Sequence, residues 1–371
     1  MARMKVVVVG GGMAGMSCAA ELAQHCDVTV LEAEEAPGYH SSGRSAASYI
    51  EPYVNATICT LTTSSRAFFE HPPTGFADTP LVTPRADLMI ASAAKSSQID
   101  VYLERWRALC PGLMEIDAAE ALRRVPILRP DAVARAVSDP NVMDIDVHGL
   151  LNGFRRMLKL GGGVLLTRSR VESLARVDGQ WRVDAAGHSH HCDVVVDAAG
   201  AWGDQLAGLA GIAPVGLVPK RRTALLIRCA HQDVARWPIV HEVENTFYFK
   251  PDAGRLLLSP ADQTPSPPCD AQPEEIDIAI AIERFEAATT IVVERIEHRW
   301  AGLRSFVADS VPVVGYDPGT PGFFWLVGQG GFGIQTSPAM GRLSAALVRR
   351  TDIPADLRAN GLTAAPFQPR R

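Results

Sequence analysis

Three glycines near the start of the chain, Gly10, Gly12 and Gly15, have the G-x-G-x-x-G spacing of a phosphate-binding turn. The first glycine permits a tight turn, the second lets backbone N–H groups approach a pyrophosphate, and the third allows a following helix to pack closely. The N-terminus of that helix, which includes Met13 and Ala14, attracts negative charge. The spacing therefore predicts a site for the pyrophosphate of a dinucleotide.

The segments around these glycines follow the order that such a site needs. Residues 6–9 form an apolar, β-branched run typical of a buried parallel strand, a helix is predicted over 13–24, and a second strand over 28–31. Glu32 follows this second strand, where an acid accepts the ribose hydroxyls of an adenosine. We therefore assign Glu32 and its neighbour Ala33 to the cofactor site.

Residues 39–47 are rich in small and hydroxyl side chains. Small residues let a backbone approach a flat ligand, and hydroxyl and N–H groups satisfy its polar edge. A serine-rich surface loop is the alternative interpretation of this composition. We assign the following residues of this segment to the cofactor site: His40, Ser41, Ser42, Gly43, Arg44, Ser45, Ala46 and Ala47.

The composition is that of a globular chain large enough for two domains, with 371 residues, 47% of them apolar and 21% charged. A net charge of −5 does not indicate a basic surface for binding a polyanion, so nucleic acid is not expected as a partner. The apolar N-terminus fits neither a signal peptide nor a transmembrane segment. Seven scattered cysteines without a C-x-x-C pair predict reduced thiols in a cytoplasmic protein.

Periodicity predicts further helices over 60–71, 97–109, 117–124 and 150–160, and a strand over 87–92. Residues 130–146 are predicted to be a mixed loop.

His188, His190, His191 and Cys192 form a short group of metal-capable side chains. Neighbours on one strand point to opposite faces, and no second ligand pair lies at zinc-finger spacing. Because Gly187 indicates a turn, we predict an exposed turn here and no metal site.

Five segments resemble motifs of the D-amino acid oxidase superfamily of FAD enzymes, in the same order along nearly the whole chain. They are GGGMAG at 10–15, PGYHSSGRSAA at 37–47, DVVVDAAGAW at 193–202, GLRSF at 302–306 and GQGGFGIQTSPAMG at 328–341. Only the polar tail after about Thr351 lies outside the likeness. Within the superfamily, the motifs are most similar to those of D-arginine dehydrogenases.

The resemblance implies an α/β fold with two domains. A discontinuous Rossmann-like FAD-binding domain would comprise 1–84, 143–216 and 305–371, and an antiparallel-sheet α+β substrate domain 85–142 and 217–304. The FAD would be held non-covalently: the last cysteine is Cys269, so a C-terminal thioether cannot form, and the resemblance argues against a histidyl link at His40. The N–H groups of 330–335 and the following helix would face the flavin's pyrimidine edge. The resemblance adds these cofactor residues: Val171, whose backbone would contact the adenine, and Ala199, Gly200, Trp202, Gly330, Gly331, Phe332, Gly333, Ile334 and Gln335.

The resemblance also implies a substrate site. Arg222 and Arg304 would hold a carboxylate, because a planar guanidinium binds one through two parallel hydrogen bonds. Tyr53 would belong to a mobile lid, Tyr248 would flank the substrate, and the carbonyl of Gly331 would face its amino group.

Two positions depart from the D-arginine dehydrogenase pattern. Asp87 stands where those enzymes place a glutamate that pairs with the substrate's guanidinium, so the charge is kept with a shorter reach. Ser48 replaces a histidine beside the substrate, which removes an ionisable group near the amine. A carboxylate at Asp87 still favours a cationic side chain.

The predicted reaction is FAD-dependent oxidative deamination of D-amino acids, either basic ones such as D-arginine or a broad range. Hydride transfer from Cα to the flavin would give an imino acid, which water hydrolyses to a 2-oxo acid and ammonia. The alternatives are oxidation of a secondary amine or a 2-hydroxy acid, which the two arginines fit equally well, and a flavin-binding subunit without turnover of its own. The expected partners are a small amino acid and an electron acceptor, which is oxygen, a quinone or another compound.

Overall fold

The computed structural model describes residues 3–229 and 233–369. Strands and helices alternate at the start of the chain, and runs of consecutive strands follow, as expected of a chain that combines a parallel sheet with antiparallel ones. The strands are β1 (Lys5–Val9), β2 (Asp27–Leu31), β3 (Ser48–Tyr49), β4 (Val82–Pro84), β5 (Asp87–Ala91), β6 (Met114–Ile116), β7 (Arg135–Asp139), β8 (Met143–Ile145), β9 (Val164–Leu166), β10 (Val171–Val177), β11 (Gln180–Ala185), β12 (His188–Cys192), β13 (Val194–Asp197), β14 (Val218–Ile227), β15 (Ile239–Glu242), β16 (Tyr248–Asp252), β17 (Arg255–Ser259), β18 (Ile296–Phe306), β19 (Val313–Tyr316) and β20 (Phe323–Val327). The helices are α1 (Met13–Ala23), α2 (Ala56–Glu70), α3 (Ser97–Trp106), α4 (Ala118–Arg124), α5 (Val147–Leu160), α6 (Gly203–Leu209), α7 (Glu275–Ala288), α8 (Ser337–Val348) and α9 (Ala355–Ala359).

The first sheet is six-stranded, with the order β19-β20-β13-β1-β2-β9. Its neighbours from β20 to β9 are parallel, and β19 is an antiparallel edge strand. The side chains of 6–9 are buried, as predicted for a strand covered on both faces. The predicted α/β class with a Rossmann-like sheet is thus confirmed.

Both faces of this sheet are covered. On one face α1 packs between α5 and α8, so closely to α8 that a Cβ atom on Gly341 would lie 2.9 Å from Ser17. On the other face lie α6 and a three-stranded antiparallel sheet, β10-β11-β12. These layers leave the carboxyl ends of β1 and β13 as the edge where a ligand can approach.

A second large sheet has the order β18-β14-β17-β16-β15-β5-β7-β6. All its neighbours are antiparallel except β15 and β5, which run parallel. One face packs apolar side chains against α4 and α7. Because side chains alternate along a strand, the other face carries polar residues from five strands. We call this the site face, defined by Arg304, Arg222, Tyr248, His241 and Asp87.

Two sequence predictions about secondary structure were wrong. Residues 130–146, predicted as a loop, contain β7 and β8, because β7 is completed by pairing with β5 and β6, distant strands that local periodicity does not reveal. The predicted exposed turn at 188–192 is the edge strand β12, paired with β11. At the end of this strand His191 is exposed and Cys192 is buried, so these two side chains point to opposite faces.

The described residues contain neither a cluster of metal-ligating side chains nor a membrane-spanning helix. No group of three or more His, Cys, Asp or Glu side chains in that part of the chain could hold a metal ion. Nor does any helix within 3–229 and 233–369 have the length and apolar character to cross a bilayer.

Candidate active site

The glycine turn after β1 is closely packed, as its sequence predicts. Gly10 has a φ of +109°, and a Cβ atom there would lie 2.4 Å from the carbonyl oxygen of Ala198 at the end of β13. A Cβ atom on Gly15 would lie 2.0 Å from the carbonyl oxygen of Gly10. Only glycine therefore allows this turn to approach both β13 and α1.

Glu32 and Ser42 hold the turn in place. One carboxylate oxygen of Glu32 accepts a hydrogen bond from the N–H of Gly11 at 2.7 Å, and the other accepts one from the N–H of Glu34 at 2.9 Å. The hydroxyl of Ser42 accepts the N–H of Met13 at 2.9 Å. Glu32 is therefore fixed beside the phosphate-binding turn, where an adenosine ribose would lie.

A cavity of about 410 Å³ extends from this turn to the site face. Its volume falls in the usual range of small-molecule and cofactor sites, roughly 300–1,000 Å³. The predicted cofactor residues that line it are Gly10, Gly12, Met13, Ala14, Glu32, Ala33, His40, Ser41, Ser42, Arg44, Ser45, Ala46, Val171, Ala199, Gly200, Trp202, Gly330, Gly331, Gly333 and Ile334. Of the predicted substrate residues, Arg222, Tyr248, Arg304 and Gly331 line it.

Other predicted residues lie behind this lining. Gly15 packs on the turn, Phe332 is buried in the core, and Gly43 and Ala47 lie next to lining residues. The side chain of Gln335 donates from Nε2 to the carbonyl of Ile50 and accepts the N–H of Ile50, both at 3.0 Å. Its position therefore ties the segment that carries Tyr53 to the start of α8.

Arg44 lines the cavity, but its guanidinium points to the second sheet. It donates to the carbonyls of Ala271 and Ala301 at 3.0 and 3.1 Å and pairs with Asp270. His40 lies 3.0 Å from a carboxylate oxygen of Glu34, and its ring centroid is 4.7 Å from that of Trp202. The side chain of Arg44 thus joins the cofactor-side loop to the substrate side of the cavity.

Arg222 and Arg304 lie on adjacent antiparallel strands, β14 and β18. Arg222 is opposite Gly302, so Arg304 is its diagonal neighbour on the same face. The Nε of Arg222 donates to the backbone carbonyl of Asp262 at 2.8 Å, and the carboxylate of Asp262 accepts the N–H of Thr223 at 2.7 Å. Asp262 therefore fixes the direction in which the guanidinium of Arg222 enters the cavity.

The two guanidinium groups and Tyr248 form one electrostatic unit. Burial and then the charge of Arg304 lower the pKa of Arg222. Burial alone would raise the pKa of the Tyr248 phenol, but the positive charges of Arg304 and Arg222, together with hydrogen bonds to Ser259 and Arg222, lower the pKa. Two cations side by side repel each other, and an anion between them relieves that repulsion. The unit is therefore suited to hold a carboxylate.

Tyr53 and Gly331 both lie close to the guanidinium of Arg304. The Nη1 of Arg304 lies 3.5 Å from the hydroxyl of Tyr53. A Cβ atom on Gly331 would lie 3.0 Å from the same hydroxyl. Tyr53 is thus beside the arginine pair, although it does not line the cavity itself.

Asp87 and Ser48 lie away from the cavity lining. Oδ1 of Asp87 is 2.8 Å from Nδ1 of His241, so this carboxylate faces a histidine of its own chain. The hydroxyl of Ser48 is 3.5 Å from Nζ of Lys250, a buried lysine that pairs with Asp144 at 2.5 Å and donates to the carbonyl of Ala46.

Asp262, His241 and Lys250 are the supporting residues that sequence reasoning missed. Tyr248 and Lys250 share a face of β16, so strand alternation could have indicated Lys250. His241 is opposite Tyr248 only because β15 pairs with β16 in this register, and no local pattern gives that register.

The residues fit FAD. The glycine turn would receive the pyrophosphate, Glu32 would receive the ribose, and the glycine-rich segment before α8 lines the same cavity beside Arg222 and Arg304. The family model described as FAD dependent oxidoreductase, DAO, matches residues 5–347.

The chain is similar to several known enzymes over nearly its whole length. Glycine oxidase of Geobacillus kaustophilus (strain HTA426) is 24% identical over 381 residues, which cover 97% of each chain. A crystal structure of glycine oxidase from Geobacillus kaustophilus has a TM-score of 0.84, covering 100% of this chain and 99% of that one. The structure of iminodiacetate oxidase from Chelativorans sp. BNC1 has a TM-score of 0.82 at 20% identity, covering 98% of both chains.

Mitochondrial dimethylglycine dehydrogenase of Homo sapiens is 22% identical over 389 residues, 96% of this chain and 43% of that protein. Structural likeness at such identities shows the fold. The comparisons confirm the resemblance to FAD enzymes of this family without singling out D-arginine dehydrogenases.

Proposed function

The chain belongs to the FAD dependent oxidoreductase family DAO, and from this premise we propose that it catalyses the oxidative deamination of a D-amino acid to a 2-oxo acid and ammonia. FAD is the cofactor, as predicted. The observation that carries the proposal is the pair Arg222 and Arg304, which enters the cofactor cavity from one rigid sheet with Tyr248 beside it. An amino acid is the simplest compound that offers both a carboxylate for this pair and an oxidisable C–N bond.

The residues of the chain orient the substrate. Arg222 and Arg304 would bind its carboxylate, and Tyr248 would limit the tilt of the molecule about that anchor. Tyr53 would cover the carboxylate from the side of the loop held by Gln335. FAD supplies the hydride acceptor for the Cα–H bond. The product, an imino acid, takes up water and releases ammonia without further need of the protein.

Oxidation of a secondary amine or a 2-hydroxy acid is the second candidate. The arginine pair binds a carboxylate whatever the neighbouring atom is, and relatives in the comparisons are named for glycine, dimethylglycine and iminodiacetate. A flavin-binding subunit without turnover is the third candidate.

Anaerobic reduction of the bound flavin distinguishes the candidates. Purified protein loaded with FAD is mixed in turn with D-alanine, D-arginine, L-alanine, glycine, sarcosine, iminodiacetate and D-lactate, and flavin absorbance is followed. We expect D-amino acids to bleach the flavin and L-alanine to leave it oxidised. Bleaching by D-lactate alone, or by sarcosine and iminodiacetate alone, would replace the proposal with the second candidate. A flavin that dithionite reduces and no substrate does would favour the third.

A further inference from the structure

We propose that His241 determines substrate specificity, because its imidazole covers the Asp87 carboxylate and so closes the place where a cationic side chain would bind. The inference rests on the proposed function and deepens it: the preferred substrate is an amino acid with an uncharged side chain. It differs from the expectation drawn from the sequence, in which the Asp87 carboxylate pairs with the guanidinium of the substrate.

The contact between His241 and Asp87 is close and enclosed. Nδ1 of His241 lies 2.8 Å from Oδ1 of Asp87, and the two side chains are 18% and 7% exposed. Among the described residues, this buried oxygen has no hydrogen-bond partner, so the close contact with His241 is its only recorded polar contact. The imidazole therefore takes the position that a substrate cation would need.

Strand register places this pair next to the arginine pair. His241 is directly opposite Tyr248 on β15 and β16, and their ring centroids are 5.6 Å apart in an edge-on arrangement. Asp87 is opposite Ile239 on the far side of β15, and directly opposite residues share a face. Along the site face, the order from the arginine pair is Tyr248, then His241, then Asp87. A substrate side chain that extends past Tyr248 meets the imidazole before it meets the carboxylate.

Other charged groups lie farther along the same face or above it. Asp139 on β7 is opposite Asp87 on the side away from His241, and Tyr102 of α3 lies near both acids. Glu51 and Arg66, above them, pair with each other at 3.3 Å. Removal of the imidazole would leave the Asp87 carboxylate without this contact, and an enclosed unpaired carboxylate favours any cation that can reach it.

The test compares the second-order rate constants of flavin reduction for D-alanine and D-arginine. We expect the wild-type protein to prefer D-alanine. His241→Asn should shift the ratio of rate constants at least tenfold toward D-arginine, and adding Asp87→Asn should cancel that shift. His191→Asn, at an exposed histidine of β12, is the matched control and should leave the ratio unchanged. A tenfold loss of D-arginine oxidation on Asp87→Asn alone, with D-alanine unaffected, would overturn the inference.

A binding measurement separates this inference from the proposed function. The 2-oxo acids of alanine and arginine bind without turnover, and their dissociation constants follow from the perturbed flavin absorbance. The His241→Asn variant should bind the arginine-derived acid at least tenfold more tightly relative to the alanine-derived acid. An unchanged ratio in a variant with normal flavin content and normal melting temperature would overturn the inference, even if no amine reduces the flavin. His241→Gln serves as a second variant if the asparagine does not fold.

Discussion

A Cβ atom placed on Gly331 would lie 2.9 Å from Nη1 of Arg304, closer than side-chain atoms ordinarily approach. Gly331→Ala should therefore displace the guanidinium and raise KM for a carboxylate substrate by about tenfold, the equivalent of one weakened charged hydrogen bond. Flavin content should be unchanged. Steady-state kinetics and the flavin spectrum check this. Gly208→Ala, in α6 with no atom within 4 Å of the added carbon, is the control. Equal KM values in both variants would contradict the steric argument.

The adjacent arginines of β14 offer a matched pair of substitutions. Arg222 faces the cavity, whereas Arg221 points to the opposite face and pairs with Asp277 of α7 at 3.1 Å. Arg222→Ala should raise KM roughly 10- to 100-fold, because the hydrogen bonds to the substrate carboxylate are lost. Arg221→Ala should lower the melting temperature and leave KM unchanged. If both variants change KM alike, the assignment of Arg222 to the carboxylate fails.

Glu32 is predicted to increase the affinity of the protein for FAD. Glu32→Ala removes the acceptor for the N–H of Gly11 as well as the expected ribose contact, so the dissociation constant for FAD should rise about tenfold or more. Recovery of FAD fluorescence on dilution measures it. Glu35→Ala, which removes an exposed ion pair with Arg168, is expected to bind FAD normally. Normal retention of FAD by the Glu32 variant would exclude this role.

The glycine and acid positions could be predicted because their chemistry is local, whereas the arginine positions came from the resemblance. Gly10 and Glu32 belong to a short strand–turn–helix–strand unit, and Arg222 and Arg304 lie in segments with family likeness. The relation between Asp87 and His241 could not be predicted, since it depends on a parallel pairing of strands far apart in sequence. β7 was missed for the same reason. The sequence alone does not distinguish Lys250 from an exposed lysine on a strand, because its burial depends on pairing with Asp144 in a different sheet.

Asp139 should make stability depend on pH. Burial, followed by the negative charges of Asp87 and Glu51, raises the pKa of Asp139 to about 6. The folded protein therefore keeps a proton that the unfolded chain releases near pH 4, and this contribution to stability is lost as the pH rises from about 4 to 6.

Asp139→Asn cannot ionise, so relative to wild type it should gain up to about 3 kcal/mol of unfolding free energy between pH 4 and pH 7. Urea unfolding at several pH values, with FAD in excess, measures the difference. Asp78→Asn, at a side chain that is 88% exposed, should track the wild type. Parallel pH profiles for the Asp139 variant and wild type would refute the prediction.

The order of residues along the site face suggests how substrate range can change in such a protein. The arginines proposed to bind the substrate carboxylate and the His241–Asp87 pair proposed to face its side chain stand on separate strands, with β17 and β16 between β14 and β15. A single substitution on β15 or β5 can thus change which substrate side chains are accepted, while the binding of the substrate carboxylate by Arg222 and Arg304 is unchanged.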